Sequence, residues 1–133
     1  MEFEFGKKWL SRARSIDLEI KDKIYLIEAL YTCCGLQGIA YDKVSVISSP
    51  ENKLERIMAD INDAQKDLEA LRQKKEIVIY EIKERIEILD YSPERTILMG
   101  FYVGGHSMES IADDLGYELK YCYELRKKGI LKL

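Results

Sequence analysis

Positive charge in excess is the first thing this sequence lacks. With 21 Lys and Arg against 24 Asp and Glu, the 133 residues carry a formal net charge of −3, so there is no cationic blanket to hold nucleic acid indiscriminately. Any such contact must come from local arrangement. Cysteine is scarce and odd in number. Cys33, Cys34 and Cys122 form neither a disulfide framework nor, with the single His106, a zinc set, which points to a reducing cytoplasm. No uninterrupted apolar run approaches the ~20 residues that span a bilayer. MEFEFGKKWL also lacks a charged-then-apolar leader pattern. A cytoplasmic protein without a membrane partner is expected. Catalytic signatures are missing as well: no nucleophile elbow, no paired-carboxylate motif and no metal motif. Gly104-Gly105 lacks the Gly-Lys-Ser/Thr ending of a phosphate loop. No enzyme, metal or cofactor is expected.

What is present is helical periodicity. A content of 47% apolar and 34% charged residues suits one soluble domain or two small helical pieces. Ala13, Ile16, Ile20, Ile24, Ile27, Tyr31 and Cys34 recur at steps of three or four, predicting a first helix over Gly6 to Cys34. The pattern dissolves over residues 35–49, read as an ordered crossing loop, with a small hairpin or exchanged strand as the alternative. Ser49-Pro50-Glu51 then restarts the helix as cap, first residue and dipole-matched acid. From there Leu54, Ile57, Ile61, Ala64, Leu68, Leu71, Lys75, Val78, Ile82, Arg85 and Leu89 trace a heptad seam. A second seam through Ile79, Ile82, Ile86 and Leu89 fits better after Leu71, a four-residue stutter. Such a helix is roughly 60 Å long and needs a partner. The first helix folding back supplies part of it, and a second copy meeting residues 51–90 supplies the rest. Arg72, Lys74 and Lys75 read as a solvated face.

Ser92-Pro93-Glu94 repeats the helix-start signal. The helix it opens should carry Ile97, Leu98, Phe101 and Tyr102 and stop at Gly104-Gly105. Ser107 caps a short helix through Leu115, and Gly116 ends it through a left-handed backbone. A last helix is expected over Leu119 to Lys128, with Gly129 as its stop and Arg126, Lys127 and Lys128 matched to the negative dipole end. His106 reads as a surface turn residue. Ile111, Ala112, Leu115, Cys122 and Leu125 give the shared core of a bihelical unit, with Ala112 small where the helices cross. The residues pointing away from that core are Glu118, Leu119, Lys120, Tyr123, Glu124 and Lys127. Lys120 and Lys127 suit phosphates or guanine edges, Glu124 suits cytosine N4, and Leu119 suits a thymine methyl. Two acids and an aliphatic residue on that face are also what a protein-docking surface would show.

ERTILMGFYVGGHSMESIADDLGYELKYCYELRKKGILKL resembles the region 4 helix-turn-helix of sigma-70-type factors. The chain as a whole resembles small phage and prophage regulators of Gram-positive bacteria related to the RinA and ArpU late-transcription regulators, with YDKVSVISSPENKLERI matching their loop and helix entry. The resemblance implies an all-α fold: a long antiparallel helical hairpin over residues 1–91, then a small three-helix helix-turn-helix domain over residues 92–133. It implies double-stranded DNA as partner, with Leu119, Lys120, Tyr123, Glu124 and Lys127 at the contacting face, and RNA polymerase as a second partner. Family members usually carry Ser or Thr where Glu118 stands and more basic residues where Leu119 and Tyr123 stand. The expected function is a phage-derived transcriptional regulator. The alternatives are a DNA-packaging component of the small-terminase type and a coiled-coil adaptor between proteins.

Overall fold

The computed structural model describes residues 1–34 and 50–133. The crossing loop expected over residues 35–49, with Ser49 as cap, lies outside the described residues. Among those described the fold is all-helical, without a strand. The elements are α1 (Phe3–Leu10), α2 (Arg12–Cys34), α3 (Pro50–Ile86), α4 (Pro93–Leu98) running into a π-helical segment (Met99–Val103), α5 (Met108–Leu115) and α6 (Leu119–Lys132). Two compact units emerge, one of Met1–Asp17 with Lys74–Leu133 and the other of Leu18–Gln73.

The first helix begins earlier than its apolar period suggested and is broken once. Glu2 caps α1, its carboxylate accepting from the backbone N–H groups of Glu4 and Phe5. At Ser11 the hydroxyl turns back to the carbonyl of Lys7 at 2.6 Å. Such back-bonding bends helices, and α2 starts one residue later, ending at Cys34. In the first unit Arg12 meets Glu81 at 2.9 Å and Asp17 meets Lys75 at 2.6 Å. In the second, Lys23 meets Asp67 at 3.3 Å and the amide of Gln65 donates to the Tyr31 hydroxyl at 3.1 Å. Within each unit the α3 partner falls in number as the α2 partner rises, the order that antiparallel helices give.

The buried residues of α3 are Ile61, Ala64, Leu68, Val78, Ile82 and Ile86. The original seam therefore continues past Leu71, through half-buried Lys75 to Val78 and Ile82. The two successive steps of four, Val78 to Ile82 to Ile86, place the stutter there, later than the sequence pattern suggested.

Ser92 caps α4 as expected, accepting from Arg95 N–H, with Pro93 in the first turn. Gly129, by contrast, is not a helix stop. Helix α6 runs on to Lys132, and Gly129 is buried inside it beneath α4. A Cβ there would lie 2.8 Å from Leu98 Cδ1 and 3.2 Å from Glu94 Cβ. The residue is glycine because two helices touch, not because one ends. Consequently Arg126, Lys127 and Lys128 sit away from the last carbonyls, and the dipole account of them is withdrawn. Lys132 takes the end position and pairs with Glu94 at 3.5 Å. A second close approach brings α1 to the same helix, where a Cβ on Gly6 would lie only 2.5 Å from Ile130 Cγ2.

Two outcomes test this packing. Gly129→Ala should cost about 1–3 kcal/mol by urea denaturation, overpacking outweighing the gain in helix propensity. Combined with Leu98→Ala it should cost less than the sum, because the clash partner is gone. The Glu94 carboxyl is held below its ordinary 4.5, first by its own backbone N–H at the start of α4, against burial, with Ser92 and Lys132 adding to the lowering. A carboxylate with a lowered folded-state pKa stabilises above its unfolded value and loses that contribution as the pH falls through the folded one. Glu94→Gln should therefore cost about 0.3–1 kcal/mol near pH 7, the deficit vanishing as acid titrates the wild-type carboxyl below 4.5.

Candidate functional site

Helices α5 and α6 are joined by a three-residue turn whose backbone is fully specified. Ser107 caps α5 by accepting from Ser110 N–H at 3.1 Å. At the other end Gly116 has φ +70 and ψ 30, its N–H donates to Asp113 O at 3.3 Å, and Tyr117 N–H donates to Ala112 O at 3.0 Å. This pair of bonds is the Schellman arrangement, and it turns the chain sharply into α6. The accompanying apolar contact is Tyr117, packed on a core of Ile97, Met108, Ile111, Ala112, Cys122 and Leu125. Burial alone pushes the Cys122 thiol above its ordinary 9.0, so it is a core residue rather than a nucleophile.

With Cys122, Leu125, Gly129 and Ile130 buried, the helical period sends Lys120, Glu124, Lys127 and Lys128 outward. All five residues expected on the contacting face, Leu119, Lys120, Tyr123, Glu124 and Lys127, are exposed. Their setting is uneven. Leu119 and Tyr123 are only 37% and 41% exposed, and the Lys127 ammonium lies 5.4 Å from the centroid of Phe3 on α1. An open depression at the start of α6 is lined by Tyr117, Glu118, Lys120, Tyr121 and Glu124.

Charge is segregated. The stretch 92–133 holds six cations and six acids, yet α6 alone carries five cations against Glu124, while α5 carries Glu109, Asp113 and Asp114 and no cation. Neutrality of the whole thus conceals a basic helix beside an acidic one.

Sequence reading missed a cluster on the flank of α6. The π-helical segment, with Gly104 N–H bonded to Met99 O at 2.9 Å, sets Phe101 and Tyr102 edge to face with centroids 4.8 Å apart. Arg14 stacks on Phe101 at 3.8 Å and donates to His106 O at 3.1 Å. Arg126 lies 5.8 Å from the same ring and 5.2 Å from Tyr123. Stacks of this kind contribute about 0.5–1 kcal/mol at exposed sites. Tyr102 is 2% exposed, and its hydroxyl, with Nε of Arg14 and of Arg126, is buried without a hydrogen-bond partner. Burial raises the Tyr102 pKa above 10.0, while Arg126 and then Arg14 pull it back, so both guanidinium groups face the phenol. The only foreshadowing in the sequence is the three-residue spacing of Tyr123 and Arg126, which puts them on one side of a helix.

Among the described residues no group of His, Cys, Asp and Glu is arranged to hold a metal, and no helix is long and apolar enough to cross a membrane. No family model, no characterised protein and no solved structure matches the chain.

If the outward face of α6 has no packing duty, a Lys120→Glu, Lys127→Glu double variant should stay within about 1 kcal/mol of wild-type stability, the upper worth of an exposed Lys127–Phe3 stack. Leu125→Ala, in the core beneath, should lose about 2–5 kcal/mol in the same urea titration.

Proposed function

We propose that the chain is a phage-derived transcriptional regulator in which α5, the Gly116 turn and α6 act as a sigma-like helix-turn-helix. In this reading α6 enters the major groove of promoter DNA, with RNA polymerase as a second partner. The observation that carries the reading is the exposed, basic outward side of α6 on a sharply turned bihelical unit. A helix of this kind needs its core side fixed by neighbours and its far side left free. Lys120 and Lys127 bind phosphates or guanine edges, Glu124 accepts from cytosine N4, and Leu119 and Tyr123 give apolar contact. The resemblance to RinA- and ArpU-related regulators, drawn from the sequence, points the same way.

One copy holds few positive charges, so pairing copies is part of the proposal. A hairpin of α2 and α3 serves as the stalk, and residues 51–90, most of them in α3, meet a second chain. Leu54, Met58, Ile77 and Tyr80 are about half exposed or more on that helix, apolar surface suited to such pairing. Two weak readers on one stalk bind two half-sites with an effective concentration neither has alone.

A protein-docking role is the second reading, and one observation favours it. Leu119, Tyr121 and Tyr123 line the exposed surface of α6 next to Glu118 and Glu124, a mixture that suits a protein partner better than phosphate. Packaging components of the small-terminase type would use the same DNA-facing helix within a closed ring of subunits.

Titration of duplex DNA from the chain's own upstream region should show binding that weakens steeply with salt, and the Lys120→Glu, Lys127→Glu variant should bind far less. Equal, salt-insensitive behaviour of the two proteins would overturn the DNA-reading role. Light scattering on the same samples separates a dimer from a packaging ring.

A further inference from the structure

We infer that Arg14, Tyr102 and Arg126 form an anion seat that takes a phosphate group on the flank of α6. Three buried polar atoms lie together there without a hydrogen bond of good geometry: Nε of Arg14, Nε of Arg126 and the Tyr102 hydroxyl. Among the described residues neither guanidinium forms an ion pair, although three acids of the same unit do pair with other cations: Glu81 with Arg12, Asp17 with Lys75 and Glu94 with Lys132. Two cations and a phenol, each with one buried atom unmatched while the outer nitrogen of Arg14 already donates to His106 O, call for an oxygen-rich anion rather than another donor. Planar guanidinium groups match phosphate oxygens in pairs, which a lysine cannot do.

The geometry also supplies a route. Arg14 and Arg126 are each half-buried, so an incoming phosphate meets their outer nitrogens first. Arg126 is held by stacking against Phe101 and Tyr123 at 5.8 and 5.2 Å and by its approach to the Tyr102 phenol, and a rotation off those rings breaks no ion pair. Tyr123, exposed on the adjoining side of α6, then borders the occupied seat. The phosphate has two possible sources, free in solution or in a nucleic-acid backbone. The second rests on the DNA reading above.

The test uses the full chain with inorganic phosphate as probe. The wild-type thermal midpoint should rise in potassium phosphate relative to potassium chloride of equal ionic strength. Arg126→Gln should weaken phosphate binding about tenfold, in keeping with loss of a charged hydrogen bond, while Lys128→Gln, an exposed neighbour, should keep the full rise. Tyr102→Phe guards against a purely structural explanation. Removing an unpartnered hydroxyl should leave the midpoint in chloride unchanged or higher, yet shrink the rise caused by phosphate. A wild-type midpoint indifferent to phosphate, or an Arg126→Gln variant that retains the whole rise, would overturn the seat. A duplex-DNA arm assigns the source. Loss of about one unit from the slope of log K against log salt in Arg126→Gln identifies a backbone phosphate, whereas phosphate binding with an unchanged slope, or with no DNA binding at all, supports a seat for the free anion and removes the nucleic-acid part of the inference.

Discussion

The contact of α4 with α6 at Gly129 governs the C-terminal end of the molecule. Because Leu98 and Glu94 press on a residue with no side chain, α6 continues through Gly129 to Lys132 instead of stopping. The extra turn puts Ile130 in the core and against Gly6 of α1, and lets Lys132 reach Glu94. The Arg85 guanidinium, from the end of α3, bonds the Leu133 carbonyl just beyond. Three helices are thereby fastened along one side of α6. A helix clamped on one side presents the other in a fixed orientation, the condition any recognition helix must meet.

The parts legible in the sequence are those whose cause is local. Ser92-Pro93 and Ser107 start helices with groups that satisfy the first N–H donors, and Gly116 takes the left-handed conformation that its place after Leu115 suggested. Ile111, Ala112, Cys122 and Leu125 lie in one core as their spacing required. Features that depend on a distant partner were not legible. Gly129 looks like a stop because a glycine after a basic run usually is one, and only Leu98, far away in the chain, reveals the other use of a missing Cβ. The π-helical segment gives no periodic signal over five residues, and the break at Ser11 rests on a hydroxyl choosing the carbonyl of Lys7. The stutter in α3 was visible in kind but misplaced, since Val78 and Ile79 are equally apolar and only packing chooses between them.

Net charge is uninformative about this face for a related physical reason. A sum over 92–133 treats charges as interchangeable, whereas fields at ~8 Å of screening length depend on which helix face carries them. Helix α5 holds three acids and no base, and α6 holds five bases and one acid. Lys132 is neutralised by Glu94, which leaves Lys120, Lys127 and Lys128 outward and Arg126 on the flank, with Glu124 opposing them. That is a modest cationic strip, too weak for bulk electrostatic binding; on the proposed reading its part is to set the side from which a polyanion approaches.

The flank adjoins that strip on α6. Arg126 was explained from sequence by a helix end that is not there, and its removal from that role leaves a guanidinium stacked on aromatic rings and facing the Tyr102 phenol, with no ion pair among the described residues. Stacking fixes such a group loosely while keeping its hydrogen-bonding edge uncommitted. Arg14, brought from α2 to the same ring, doubles the charge at one point. A site assembled from α2, the π-helical segment and α6 couples whatever binds there to the packing of three elements, so an anion at the flank would also stiffen the helix that carries Lys120 and Lys127. Orientation of α6 and charge beside it then become a single property, set by the same few side chains.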